Sequence, residues 1–84
     1  MIVINDQFAI DSNRREWRIC QHRSATEKSP ESWEPIHFYG SLSGAIEALR
    51  GILIRTSEYE SWAELERNVR GINKLLDKRF KVGI

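Results

Sequence analysis

The period of the apolar positions changes near residue 40. Before that point apolar residues alternate by two or form short runs bounded by turn residues, and after it they recur at spacings of three and four. Strands therefore precede helices, which predicts an α+β chain rather than alternating βα units. Met1 to Ile4 is an apolar, largely β-branched run, Asn5-Asp6 signals a turn, and Phe8 and Ile10 share a face when the strand pattern resumes. This is the pattern of a short hairpin. Asp11-Ser12-Asn13 supplies a second turn, because such side chains hydrogen-bond their own backbone. Trp17 and Ile19 then fall on one face of an extended segment while Glu16, Arg18, Cys20 and His22 take the other. Ser24 to Pro35 contains two prolines and no period, which predicts a loop over 24–35. Ile36 to Tyr39 reads as a short returning strand, with Ile36 and Phe38 alternating against His37 and Tyr39.

From Leu42 the apolar set 42, 45, 46, 49, 52 and 53 predicts an amphipathic helix ending near Thr56, with Ser41 as its N-cap. Ser61-Trp62-Ala63-Glu64 matches a capping box and opens a second helix, about 62–80. Its stripe is Leu65, Val69, Ile72 and Leu76 with Leu75 at the edge, and it fades around Arg79 to Lys81 before Gly83. A connection as short as Ser57 to Glu60 makes the two helices an antiparallel hairpin. The expected architecture is a single domain over 1–84, a three- to four-stranded antiparallel sheet followed by a helical hairpin packed on one face. Phe8, Ile10, Trp17, Ile19 and Phe38 form the sheet's expected share of the core.

Composition narrows the partners. The 84 residues carry 13 Lys and Arg against 12 Asp and Glu, a net charge of +1. That balance excludes an acidic mimic of DNA and a histone-like polycation. One cysteine cannot form an internal disulfide, and the longest apolar run, Gly51 to Ile54, is far short of the ~20 residues that span a bilayer. With no signal-peptide pattern at the start, the expectation is a cytoplasmic protein without membrane association.

Candidate chemistry is sparse. Cys20 and His22 share a strand face, and His37 on a paired strand would give three ligands for a zinc site with one open position. No Cys-x-x-Cys or second Cys-His pair accompanies them, so an ordinary half-exposed strand face outweighs both a metal centre and a cysteine nucleophile. Gly40-Ser41-Leu42-Ser43-Gly44 lacks the lysine of phosphate-binding loops and reads as a strand-to-helix turn. Glu58, Glu60, Glu64 and Glu66 suit the positive end of the second helix dipole. On that helix Arg67, Arg70, Lys74 and Lys78 step by three and four into a stripe opposite the apolar one, and residues 66–84 hold six bases against two acids. Such a stripe fits plain solvent or an acidic protein patch better than nucleic acid, since the net charge is small and no aromatic residues interleave it to stack bases. Arg14, Arg15 and Arg18 add charge at the sheet's turn, where they discourage edge pairing. Trp33, in the predicted loop, either plugs the end of the sheet or stands exposed as a partner anchor, and Trp62 reads as a packing residue stapling its helix.

The runs Phe8-Ala9-Ile10-Asp11-Ser12 and Glu16-Trp17-Arg18-Ile19 resemble the opening of a group of small phage and prophage proteins of unknown function. The resemblance continues through Phe38-Tyr39-Gly40-Ser41-Leu42, Ala45-Ile46, Leu53-x-Arg55-x-Ser57 and Ser61-Trp62-Ala63-Glu64-Leu65, and so spans most of the chain. It implies a small accessory protein of a temperate phage, without catalytic residues or cofactor, acting in the cytoplasm of a bacterial host. The expected function is non-enzymatic binding of a bacterial host protein or complex, inhibiting a host defence system such as CRISPR-Cas. The expected contact residues are Trp33 with Arg14, Arg15 and Arg18, or Arg67, Arg70, Lys74 and Lys78. The alternatives are a nucleic-acid-binding phage regulator using the basic helix face, and a small enzyme or metal protein at Cys20, His22 and His37. A homodimer through free sheet edges also stays open.

Overall fold

The structure, a computed structural model, describes residues 1–80. The helix-ending signal expected at Lys81 to Gly83 lies outside the described residues. The chain divides into two compact units, Met1–Ala45 and Ile46 onwards.

Four strands make one sheet in the first unit: β1 (Ile2–Val3), β2 (Phe8–Ser12), β3 (Trp17–Arg23) and β4 (Ser32–Tyr39). They lie in the order β1-β2-β3-β4, each antiparallel to the next. Two asparagines close the first two turns in the same way. Asn5 Oδ1 accepts the backbone N–H groups of Gln7 and Phe8 at 2.9 and 2.8 Å. Asn13 Oδ1 accepts those of Arg15 and Glu16 at 2.8 and 2.9 Å. Each side chain replaces a backbone carbonyl in the turn, which is why Asn is favoured there.

Burial is concentrated in the middle strands. Phe8, Ala9 and Ile10 are all buried, and so are their neighbours Ile19 and Cys20 across the β2–β3 ladder. Consecutive residues of a strand point to opposite faces, so both faces of the sheet are covered at its centre. Trp17, expected among the core residues, is only half-buried near the start of β3.

The β3–β4 ladder corrects two expectations. Strand β4 begins at Ser32, so the predicted loop over 24–35 shrinks to 24–31, where Thr26 Oγ1 accepts the N–H of Ser29 at 3.1 Å. The prolines obscured this strand in the sequence, yet Pro35 sits on an edge strand beside a register shift, where a missing N–H breaks no regular ladder. The shift falls between Ile19, which pairs His37, and Cys20, which pairs Pro35, leaving Ile36 as the extra residue of a bulge. The resulting register sets Phe38 opposite Arg18 rather than on the Ile19 face, and Phe38 is 54% exposed. A register offset of one residue inverts which side chains reach a given face, so Phe38 leaves the predicted core.

Helices α1 (Leu42–Thr56) and α2 (Trp62–Arg79) match the periodic segments. Ser41 Oγ accepts the N–H of Gly44 at 3.1 Å and caps α1. At the other end Thr56 and Ser57 donate their hydroxyls to the Ile52 and Ile54 carbonyls, both at 2.8 Å, satisfying last-turn acceptors. Ser61 caps α2 by accepting from Glu64 N at 3.2 Å. The return bond differs from an ideal capping box, because the Glu64 carboxylate takes the N–H of Glu60 at 2.8 Å instead of the cap's own. Arg50 Nε donates to Asn73 Oδ1 at 3.0 Å and Asn68 Nδ2 donates to the Glu58 carbonyl at 2.9 Å. Partner numbers fall along α2 as they rise along α1, so the helices form an antiparallel hairpin. On α1, Ala45, Leu49 and Leu53 are buried at four-residue spacing, whereas α2 buries only Leu76 and leaves Leu65, Val69 and Ile72 half-covered. A four-stranded antiparallel sheet followed by two helices is an α+β fold, as the periodicity predicts. No helix among the described residues is long and apolar enough to cross a membrane.

Candidate functional site

The three residues proposed for metal or nucleophilic chemistry are not assembled. Cys20 and His22 project from one face of β3, but His37 lies opposite Ile19 and so projects from the other. Among the described residues no group of three His, Cys, Asp or Glu side chains is placed to hold a metal ion. Cys20 is 2% exposed, and burial pushes its thiol pKa up, the reverse of what an activated nucleophile needs. His22 is engaged elsewhere: its Nε2 lies 2.7 Å from Glu31 Oε1 and its ring 4.9 Å from that of Trp33, at 57°.

That ring contact also redefines Trp33. It stands on β4 opposite His22 and is half-buried, rather than forming part of a loop. Of the sheet arginines, Arg14 and Arg15 are exposed in the β2–β3 turn. Arg18 is drawn into the sheet, donating from Nη2 to Asp11 Oδ2 at 2.6 Å across the β2–β3 ladder. Hydrogen bonding from the Ser12 backbone, helped by the Arg18 guanidinium and opposed by desolvation, holds the Asp11 carboxyl below its ordinary range. By the register, Arg18 and Trp33 project from the same face of the sheet as Cys20 and His22. Trp33 and Arg18 have structural partners within the sheet, and the two turn arginines extend from its end.

Helix α2 presents two surfaces. On one side Arg67, Arg70, Lys74 and Lys78 are all exposed, as their spacing predicts for a solvated face. Their one ion pair among the described residues joins Arg70 to Glu66 at 4.0 Å, and a pair so open holds little free energy. The second surface was not anticipated. Trp62, expected to pack, is 73% exposed, and Tyr59 in the segment before it is 48% exposed. Trp62, Leu65 and Val69 line a shallow groove whose accessible floor is apolar, with Glu66 and Arg70 at its rim.

The hairpin geometry explains the exposure. Asn68 hydrogen-bonds Ser57 and Glu58, residues just past the end of α1, so within the helical unit the first turn and a half of α2 runs beside the connecting segment. Trp62 begins that overhang, about 9 Å along the axis from Asn68. Its indole N–H donates to Glu66 Oε1 at 2.5 Å, which fixes the ring's orientation. An exposed tryptophan held in one orientation loses little rotamer freedom when a partner covers it. One sequence signal was available, since Glu66 stands one helical turn after Trp62, within reach of the indole N–H.

The fold and these surfaces define an α+β chain whose second helix carries an exposed cationic side and an exposed apolar groove. No family model, curated protein or solved structure matches the chain.

Proposed function

We propose that this chain acts by binding rather than by catalysis, and that its target is an acidic surface on a bacterial host protein or complex. The observation that supports this reading is the cationic side of α2, where Arg67, Arg70, Lys74 and Lys78 are exposed with a single loose ion pair among them. Exposed cations in a row attract an acidic partner over a Debye length and speed its docking. The resemblance to small phage and prophage proteins supplies the setting, a viral accessory protein that inhibits a host defence system such as CRISPR-Cas from within the host cytoplasm. The sheet residues Trp33 and Arg18 take no part in this reading, because each is occupied within the sheet.

Affinity capture from a bacterial lysate, with and without nuclease, tests the proposal. The expected result is a stoichiometric protein partner that survives nuclease and is lost from an Arg67→Glu/Lys74→Glu variant. Recovery of nucleic acid, with every protein lost on nuclease treatment and binding that falls steeply with salt, would instead make the stripe a phosphate-contacting surface of a phage regulator.

A further inference from the structure

We propose that the cationic side of α2 receives an acidic α-helix of the host partner, laid along it so that the two backbones come closest at Gly71. This rests on the host-binding reading and specifies the shape of the partner. At about 100° per residue, an arc of ~100° around α2 holds Ala63, Arg67, Arg70, Gly71, Lys74 and Lys78 and no other residue of the helix. All six are exposed. The arc thus carries four cations, two small residues, no acid and no large apolar side chain.

Gly71 is the residue that the fold does not account for. It stands in the middle of α2, where only proline is less favourable than glycine. Its backbone is helical, so no left-handed φ calls for glycine, and a Cβ there would meet no heavy atom within 4 Å, so no described residue needs the space. What glycine does provide is a bare stretch of helix backbone, the condition for close approach by another chain. That bare floor lies among the cations, with Arg67 one turn before it and Lys74 and Lys78 one and two turns after.

The row of cations sets the form of the partner. Arg67, Lys74 and Lys78 lie within about 40° of one another, at successive rises of about 10.5 and 6 Å along the axis. Residues seven and four apart on a second helix have the same rises, so carboxylates at those spacings reach all three cations when the axes are nearly aligned. Arg70, at the margin of the arc, already inclines to Glu66 at 4.0 Å. Width then selects among anions. Glu66 and Asp77 border the arc just beyond Arg70, so a polyanion broad enough to reach past that margin, such as a DNA duplex, meets like charge there. A single helix, 10–12 Å across with its side chains, fits between the margins.

The probe is an alanine-based helical peptide of about 20 residues carrying three glutamates at successive spacings of four and seven, titrated at low salt into isotope-labelled protein and read by amide NMR shifts. A DNA duplex of mixed sequence is titrated beside it. The peptide is expected to bind with a Kd below ~1 mM, with shifts centred on residues 63–78, and more tightly than a peptide with the same glutamates dispersed around its helix. Arg67→Glu/Lys74→Glu should abolish the binding. Gly71→Leu should weaken it by about tenfold or more, as overfilling a close contact does, even though the new side chain enters open space in the free protein and favours the helix. Gly71→Ala should weaken it less. Should Gly71→Leu lose native circular dichroism, Gly71→Ala decides alone. Binding that needs the charges but is indifferent to both Gly71 variants overturns the close approach and leaves the host-binding reading standing. A peptide that fails to bind at ~1 mM, or binds no better than its dispersed counterpart, overturns the helical partner, while the lysate capture still tests the reading itself. Preference for the duplex, unaffected by either Gly71 variant, overturns both.

Discussion

Replacing Gly71 by alanine tests whether the outer face of α2 is open. Gly71 is the tenth of eighteen residues in α2 and is exposed, and a Cβ built on it meets no heavy atom within 4 Å. The substitution therefore adds no clash and removes only the backbone freedom that glycine keeps in the unfolded chain. Glycine within a helix is less favourable than alanine by about 0.8–1.0 kcal/mol, so Gly71→Ala should stabilise the helical unit by about that amount. Unfolding entropy of ~2.1 cal/mol/K per residue over 84 residues converts this to a rise in Tm of about 5 °C. Circular dichroism at the helix band, scanned with temperature and with urea, measures it, and the urea slope should not change. Gly51→Ala is the internal control. There the new Cβ would lie 3.0 Å from Arg55 Nη1, the far end of a flexible side chain, so part of the gain is spent moving Arg55. A Gly71 variant with unchanged or lower Tm, and a Gly51 variant that gains more, would refute the claim that no described residue covers this face.

Three further outcomes follow from the buried groups and the charge pairs. Leu49, 0% exposed at the middle of the buried α1 stripe, should cost about 2–5 kcal/mol when cut to alanine, a large fraction of the stability of so small a chain and readable as a fall in urea midpoint. Asp11 has a folded-state pKa below its ordinary 3.8, so its contribution is present above that value and lost as pH falls through the lower folded value. The stability difference between wild type and Asp11→Asn should shrink on acidification from about pH 6 to about pH 2.5, and a constant difference would show that the Ser12 and Arg18 contacts do not favour the ionised carboxylate in the folded chain. Cys20, buried and with a raised thiol pKa, should resist alkylation in the native protein and react quickly in denaturant, as followed by mass.

The helices were legible from the chain because their signals are local. Ser41 and Ser61 announce the two starts, and the spacing of Ala45, Leu49 and Leu53 marks the buried side without reference to anything distant. The first three strands were legible for a related reason, as Asn5 and Asn13 close their turns within three residues. Strand β4 was not, because a strand's face depends on register, and register depends on which residue pairs across the ladder. Nothing near Ile36 in sequence reveals that it bulges, yet that one residue places Phe38 outside the core and His37 on the face away from Cys20. The zinc-like trio fails for the same reason.

The tryptophans show where local pattern ends and tertiary geometry begins. Trp33 read as either a plug or an exposed anchor because prolines surround it, but an edge strand accepts Pro35, and the register then sets Trp33 against His22 with the rings tilted at 57°. Trp62 looked packed because it opens an amphipathic helix, and an apolar residue in a first turn usually has a neighbour. Whether it has one depends on how far the preceding helix extends, and here the bonds from Asn68 to Ser57 and Glu58 place the end of α1 six residues short of it. The apolar stripe of α2 is thus longer than the helix that could cover it. An amphipathic stripe that outruns its partner leaves an apolar patch whose cost is removed only when something else covers it.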